Sequence, residues 1–134
     1  MLQLSRVTVV AGVLAALLLA ACAPAPVKNV TDTPVRTDKA NVTEADVAGA
    51  IKRAGAGLGW AVLVDGPGRM NATLRLRTHT AVVDIPYDTT KYSILYKQSD
   101  DLRYDAEKGT IHRNYNGWIQ NLDAAIQREL AALN

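Results

Sequence analysis

The sequence predicts an α+β domain: a four-stranded antiparallel meander with two helices on one face, in the order α-β-β-β-β-α, forming a two-layer sandwich. Three observations predict it. Four runs between residues 60 and 96 alternate apolar and polar positions with period two. An amphipathic stretch of helical spacing precedes them, and a longer one follows. Period two is the mark of a strand with one covered face, and the flanking helical stripes supply the cover.

The first helix opens at Thr43. Thr43-Glu44-Ala45-Asp46 has the form of a capping box with Asp at its fourth position. Val47, Ala50, Ile51 and Ala54 then recur at helical spacing, and Gly55, Gly57 and Gly59 end the helix. The four strand runs follow. They are Trp60, Val62, Val64; Met70, Ala72, Leu74, Leu76; Ala81, Val83, Ile85, Tyr87; and Tyr92, Ile94, Tyr96.

Their registers can be set against one another. Asp65-Gly66-Pro67-Gly68 is a turn, so Val64 faces Met70, Val62 faces Ala72, Trp60 faces Leu74, and Asp65 faces Arg69. In the next hairpin Leu76 faces Ala81, Leu74 faces Val83 and Met70 faces Tyr87. In the last, Tyr87 faces Tyr92, Ile85 faces Ile94 and Val83 faces Tyr96. All the apolar residues then share a face, which a slip of one residue would turn into water. Two features resist this scheme. Thr78-His79 lacks the chemistry of a two-residue turn, so a four-residue loop or a bulge is expected over 77–80. Pro86 has no amide donor, which suits an edge or a bulge better than a middle strand.

Ser99 to Thr110 is polar and turn-like. The last helix carries Trp118, Ile119, Leu122, Ala125, Ile126, Leu130 and Leu133, with Asn114 or Asn116 as its N-cap. About 90 ordered residues suffice for one modest core.

The start of the chain has a different composition. Met1 to Arg6 holds one charge, and Val7 to Leu19 is apolar apart from Thr8 and Gly12. That run fits a secretion signal and is shorter than the roughly 20 apolar residues a spanning helix needs. It ends in Leu19-Ala20-Ala21-Cys22, which resembles the lipobox of bacterial lipoproteins. The resemblance implies diacylglycerol on the Cys22 sulfur, cleavage after Ala21 and acylation of the new amino terminus. Each buried methylene of such chains adds about 0.8 kcal/mol of anchoring. Ala23 follows the cysteine where an Asp would tend to retain a lipoprotein at the inner membrane, so the resemblance implies an outer-membrane protein facing the periplasm. The expected division is therefore a signal over 1–21, a lipidated flexible tether over 22–42 and a globular domain over 43–134. Pro24, Pro26 and Pro34 and the absence of any apolar period support the tether, whose coil length would be on the order of 25 Å.

The body is also similar to small proteobacterial lipoproteins of uncharacterised function. The runs that carry the likeness are Thr90 to Tyr96 with Ser99 and Leu102, and His112 to Trp118. No activity comes with it.

Composition excludes several functions. Net charge is +2, and +1 once Arg6 leaves with the signal, which is no footprint for nucleic acid. Cys22 is the single cysteine, so once it is lipidated the mature chain has no disulfide and no thiolate metal site. His79 and His112 are the two histidines, and neither lies at a metal-ligand spacing. There is no G-x-S-x-G elbow, phosphate loop or calcium loop. No enzyme activity, cofactor or metal is expected.

Two regions are candidate binding sites. The open face of the sheet is expected to carry Arg69, Arg75, Arg77, Lys91 and Lys97 against one acid, Asp84. Such a face suits an envelope protein or an anionic envelope component. The plainer reading is a solvated face whose cations discourage edge-to-edge association. Leu63, Val82 and Leu95 fall on the same face and add an apolar element. The second region is His112-Arg113-Asn114-Tyr115-Asn116, which leads into the last helix. A helix start offers unpaired N–H groups to anions, and with Tyr96 and Ser99 these residues would line a small polar pocket. The plainer reading there is capping and packing. The expectation is a non-enzymatic envelope lipoprotein that acts as an interaction module and touches the membrane through Cys22. A small-ligand carrier or sensor is the alternative, and a hydrolase ranks last.

Overall fold

The structure, a computed structural model, describes residues 23–134. The expected signal, the lipobox and Cys22 lie outside the described residues.

Alternation decides which way each strand faces. Met70, Ala72 and Leu74 are buried on β4 (Arg69–Leu76), Ala81, Val83 and Ile85 on β5 (His79–Pro86), and Tyr92 and Ile94 on β6 (Lys91–Asp100). Two helices complete the core. Helix α1 (Glu44–Gly57) contributes Val47, Ala50, Ile51 and Ala54, and α2 (Arg113–Ala131) contributes Tyr115, Ile119, Leu122, Ala125, Ile126 and Leu130. All of these residues form a single hydrophobic cluster. A fully buried Ile or Leu stabilises by about 1.5–3 kcal/mol, so this cluster dominates the fold. The chain is α+β, as expected.

The sheet has five strands rather than four. Its order is β2-β6-β5-β4-β3, with β2 at Val30–Pro34 and β3 at Ala61–Val64. A two-stranded ribbon pairs β1 (Ala25–Pro26) with β7 (Thr110–Ile111). Both β1 and β2 fall within the segment expected to be a flexible tether, and this corrects that reading. Val30 is buried opposite Ile94, the Asp32 N–H donates to Ser93 Oγ at 2.9 Å, and Asn29 Oδ1 accepts the Tyr96 N–H at 2.8 Å. Such long-range partners are invisible to a local composition count. Pro34 closes the outermost strand, where a missing donor costs least.

Capping explains where α1 begins. Thr43 Oγ1 accepts the Asp46 N–H at 3.1 Å, and Asp46 Oδ2 accepts the Thr43 N–H at 3.0 Å. Lys39 adds an ion pair at 3.1 Å. The Thr43 backbone N–H, above all, holds the Asp46 carboxyl below its ordinary pKa, with the Lys39 ammonium assisting. At the other end, Gly55 lies against β3. A Cβ built there would stand 2.3 Å from Val62 Cγ2.

The β3–β4 register matches expectation at Val62↔Ala72 and Val64↔Met70. The β4–β5 register is offset by two, with Leu76 opposite His79, Leu74 opposite Ala81 and Ala72 opposite Val83. The turn is tight because Arg77 takes φ 56°, a left-handed conformation its residue type does not advertise. An even offset leaves every side chain on its expected face. Between β5 and β6, Tyr87↔Tyr92 and Val83↔Tyr96 stand as expected, and a bulge follows that makes Lys97 an extra residue. Pro86 does sit in a central strand. The Tyr87 N–H turns to Gly68 on the β4 side and the Asp88 N–H to Lys91 on the β6 side. Alternation therefore aims the Pro86 nitrogen at β6, and the named β5–β6 pairing lapses there, between Asp84↔Leu95 and Tyr87↔Tyr92.

Candidate functional site

The helices cover one face of the sheet, and the other carries three parallel rungs. Leu63, Asn71, Asp84 and Leu95 form the first, Ala61, Thr73, Val82 and Gln98 the second, and Arg75, Thr80 and Asp100 the third. Around Val82 the surface dips into an open trough of about 470 Å³, lined by Asn71, Thr73, Arg75, Thr80, Lys97, Gln98 and Asp100. Val82 lies at its floor and is only 8% exposed, although it belongs to the uncovered face. Leu63, on edge strand β3, is 67% exposed.

Tertiary contacts revise the charge of this face. Lys97 Nζ lies 3.5 Å from Asp84 Oδ1, which also accepts from Asn71 Nδ2 at 3.3 Å. Arg69 pairs with Asp65 at 3.3 Å and Lys91 with Asp32 at 3.4 Å. Arg75 and Arg77 have no carboxylate partner among the described residues. The five cations are thus not one basic patch. Three are partly neutralised in exposed pairs worth about 0–1 kcal/mol each, and the two arginines stand at one end. Strand β2 also covers Ser93, which is 6% exposed.

The start of α2 differs from expectation in its cap. His112, rather than Asn114 or Asn116, is the N-cap, and its Nδ1 accepts the Asn114 N–H at 3.1 Å. Asn114 and Arg113 are exposed. Asn116 faces the N-terminal segment, donating to the Pro26 carbonyl at 2.8 Å and accepting from the Lys28 N–H at 2.9 Å. Tyr115 is fully buried, edge-on to Tyr96 at 5.6 Å between ring centroids. Tyr96 in turn stacks on Tyr104 at 4.3 Å and shares a 2.8 Å hydrogen bond with Ser99. Rings therefore occupy the place where a polar pocket was expected. Burial pushes the Tyr115 phenol far above its ordinary pKa, and its Oη has no hydrogen-bond partner among the described residues.

The two histidines meet at this end. His79 and His112 are 6.3 Å apart between ring centroids, and Trp118 lies 6.2 Å from His79. His79 Nδ1 is 2.6 Å from the Asp101 carbonyl, so that nitrogen carries the proton in this contact, and Thr78 Oγ1 donates to the Asp101 carboxylate. Among the described residues no group of three or more His, Cys, Asp and Glu side chains has a metal-binding arrangement.

No family model, curated protein or solved structure matches the chain.

Sequence reasoning missed one concavity. Pro24, Arg103, Asp105, Lys108, Thr110 and His112 line a cleft of about 270 Å³ where the β1–β7 ribbon meets the start of α2. Its signal lay in the dense charges of 103–108, but the wall contributed by Pro24 comes from a distant part of the chain.

Proposed function

We propose that this chain is a lipid-anchored protein of the bacterial envelope, held at the outer membrane through Cys22 and facing the periplasm, and that it acts as a non-enzymatic interaction module. The observation that carries the docking half of this reading is the trough around Val82. It is a concave polar surface on the uncovered face, with Arg75 (unpaired among the described residues), Asp84-paired Lys97 and the acid Asp100 on its walls and amide and hydroxyl groups from Gln98, Asn71 and Thr73. Guanidinium and ammonium groups beside neutral donors suit an anionic envelope component or an acidic segment of an envelope protein. Exposed Leu63 on the adjoining edge strand offers an apolar contact to a protein partner.

The anchoring half rests on Leu19-Ala20-Ala21-Cys22. No helix among the described residues is long and apolar enough to cross a membrane, which is compatible with anchoring by lipid.

Cross-linking in intact envelopes tests the docking half. Full-length wild type is compared with a variant carrying Arg75→Ser, Arg77→Ser and Lys97→Ser. The expected result is one or more envelope adducts that form with wild type and fade with the variant. Identical adduct patterns would remove the trough as the docking surface.

A further inference from the structure

We infer that the cleft between Pro24, Arg103, Lys108, Thr110 and His112 is the part of the domain that lies on the membrane, and that it takes the phosphodiester headgroup of a glycerophospholipid. This inference rests on the lipid anchor at Cys22.

The route of the chain carries the argument. Ala25 pairs with Ile111 and Pro26 with Thr110. The Val27 N–H donates to the Gly109 carbonyl at 3.0 Å, and Asn116 grips both Pro26 and Lys28. The chain is thus tied to the domain almost from its first described residue. Cys22 is two residues before Pro24, and covalent geometry holds it within about 7 Å of that residue in any conformation. A tether of 20 residues would let the domain drift from the surface, whereas two residues keep this end within reach of the headgroups, where the cations of the cleft can engage them. Pro24 is itself a wall of the cleft, so acyl chains on Cys22 place headgroups at its mouth.

The chemistry of the cleft agrees. Arg103 and Lys108 are exposed and make no ion pair among the described residues. The acid in the lining, Asp105, is turned toward its own loop, where its Oδ1 accepts the Lys108 N–H at 3.0 Å. Glu107 is exposed on the same loop and is the opposing charge. Arg75 and Arg77 belong to the same end, because their hairpin is tied there by Thr78 to Asp101 and by the His79–His112 approach. Cations close to a membrane surface are drawn to anionic headgroups within about a Debye length.

The test uses the full chain produced in a diderm host. Mass spectrometry of its N-terminal peptide first establishes whether Cys22 is acylated. The extracted protein is then reconstituted in phosphatidylglycerol–phosphatidylcholine nanodiscs doped with a gadolinium headgroup lipid, and amide broadening is measured by NMR. The expected result is strongest broadening at Ala25, Arg103, Gly109 and His112. It should be severalfold weaker at Gly66 and Gly68, at the far end of β4, about 25 Å away by strand rise. A variant with Arg103→Asn and Lys108→Ser should lose much of that contrast. Asn is chosen because residue 103 has φ 52°. An acylated protein with uniform broadening, or with a pattern the variant leaves unchanged, would overturn the inference and leave the anchor standing. An unacylated Cys22 would overturn both.

Discussion

Asn116 holds Pro26: its side-chain amide donates to the Pro26 carbonyl at 2.8 Å, while its oxygen takes the Lys28 N–H at 2.9 Å. A helix residue here supplies the two hydrogen bonds that a neighbouring strand would supply to an extended segment. Replacing it with alanine leaves both backbone groups without their partner, at a cost of about 1–3 kcal/mol. Hydrogen exchange is the direct readout. In Asn116→Ala the amides of Val27 and Lys28 should lose protection, whereas those in β4 and β5 should keep theirs. Asn116→Asp should lose the bond to Pro26 alone, since a carboxylate accepts but does not donate.

Gly55→Ala tests the contact between α1 and β3. Helix propensity alone favours alanine by about 1 kcal/mol. The added methyl would meet Val62 Cγ2 at 2.3 Å, and overpacking of this kind costs about 1–3 kcal/mol. The net expectation is destabilisation in urea unfolding. Combining it with Val62→Ala should recover part of the loss, a coupling that additive effects would not produce.

Two buried tyrosines should respond in opposite ways to loss of their hydroxyl. Tyr92 Oη donates to Asp123 Oδ1 at 2.5 Å and ties the sheet to α2. Burial, with Asp123 beside it, pushes the Tyr92 phenol far above its usual pKa. Tyr92→Phe should destabilise by about 1.5–3 kcal/mol, as for hydrogen bonds to charged groups. Tyr115 Oη has no partner among the described residues, so Tyr115→Phe should be neutral or raise Tm. A large destabilisation by Tyr115→Phe would mean that its hydroxyl has an acceptor.

Acid should weaken the loop and cap that Asp46 and Asp88 organise. The Thr43 backbone N–H, first of all, depresses Asp46, and the Thr90 side-chain hydrogen bond depresses Asp88. Because both folded pKa values lie below 3.8, their contribution is full above that pH and declines as pH falls through the lower folded values. The variant Asp46→Asn should be less stable than wild type at pH 7. That gap should narrow in unfolding titrations carried below pH 3.8.

The faces of β4, β5 and β6 were legible because period two survives any even error in register, as the offset at Leu76 and His79 demonstrates. The offset itself was hidden, since Arg77 takes a left-handed φ that glycine or asparagine would have signalled. Strand β2 was hidden for another reason. Val30 is its one buried residue, and Asp32 and Pro34 read as coil. The charge of the open face was misjudged because Asp32 comes from a distant strand and meets Lys91 only in the folded molecule, while the Asp65–Arg69 pair, which the register does place together, was not set against the basic residues. Similarly, His112 was passed over as a cap in favour of the commoner asparagines beside it.

The pairing of β2 with β6 also orders events in time. Val30 meets Ile94 across most of the domain's sequence, and contacts of such separation form late and slowly. Helix α1 and the hairpins from β3 to β5 need only near neighbours. A chain that emerges amino terminus first, from a ribosome or through a membrane, therefore carries Val30 to Pro34 unpaired until Lys91 to Asp100 has followed. The first strand of the main sheet to appear is thus among the last to find its place.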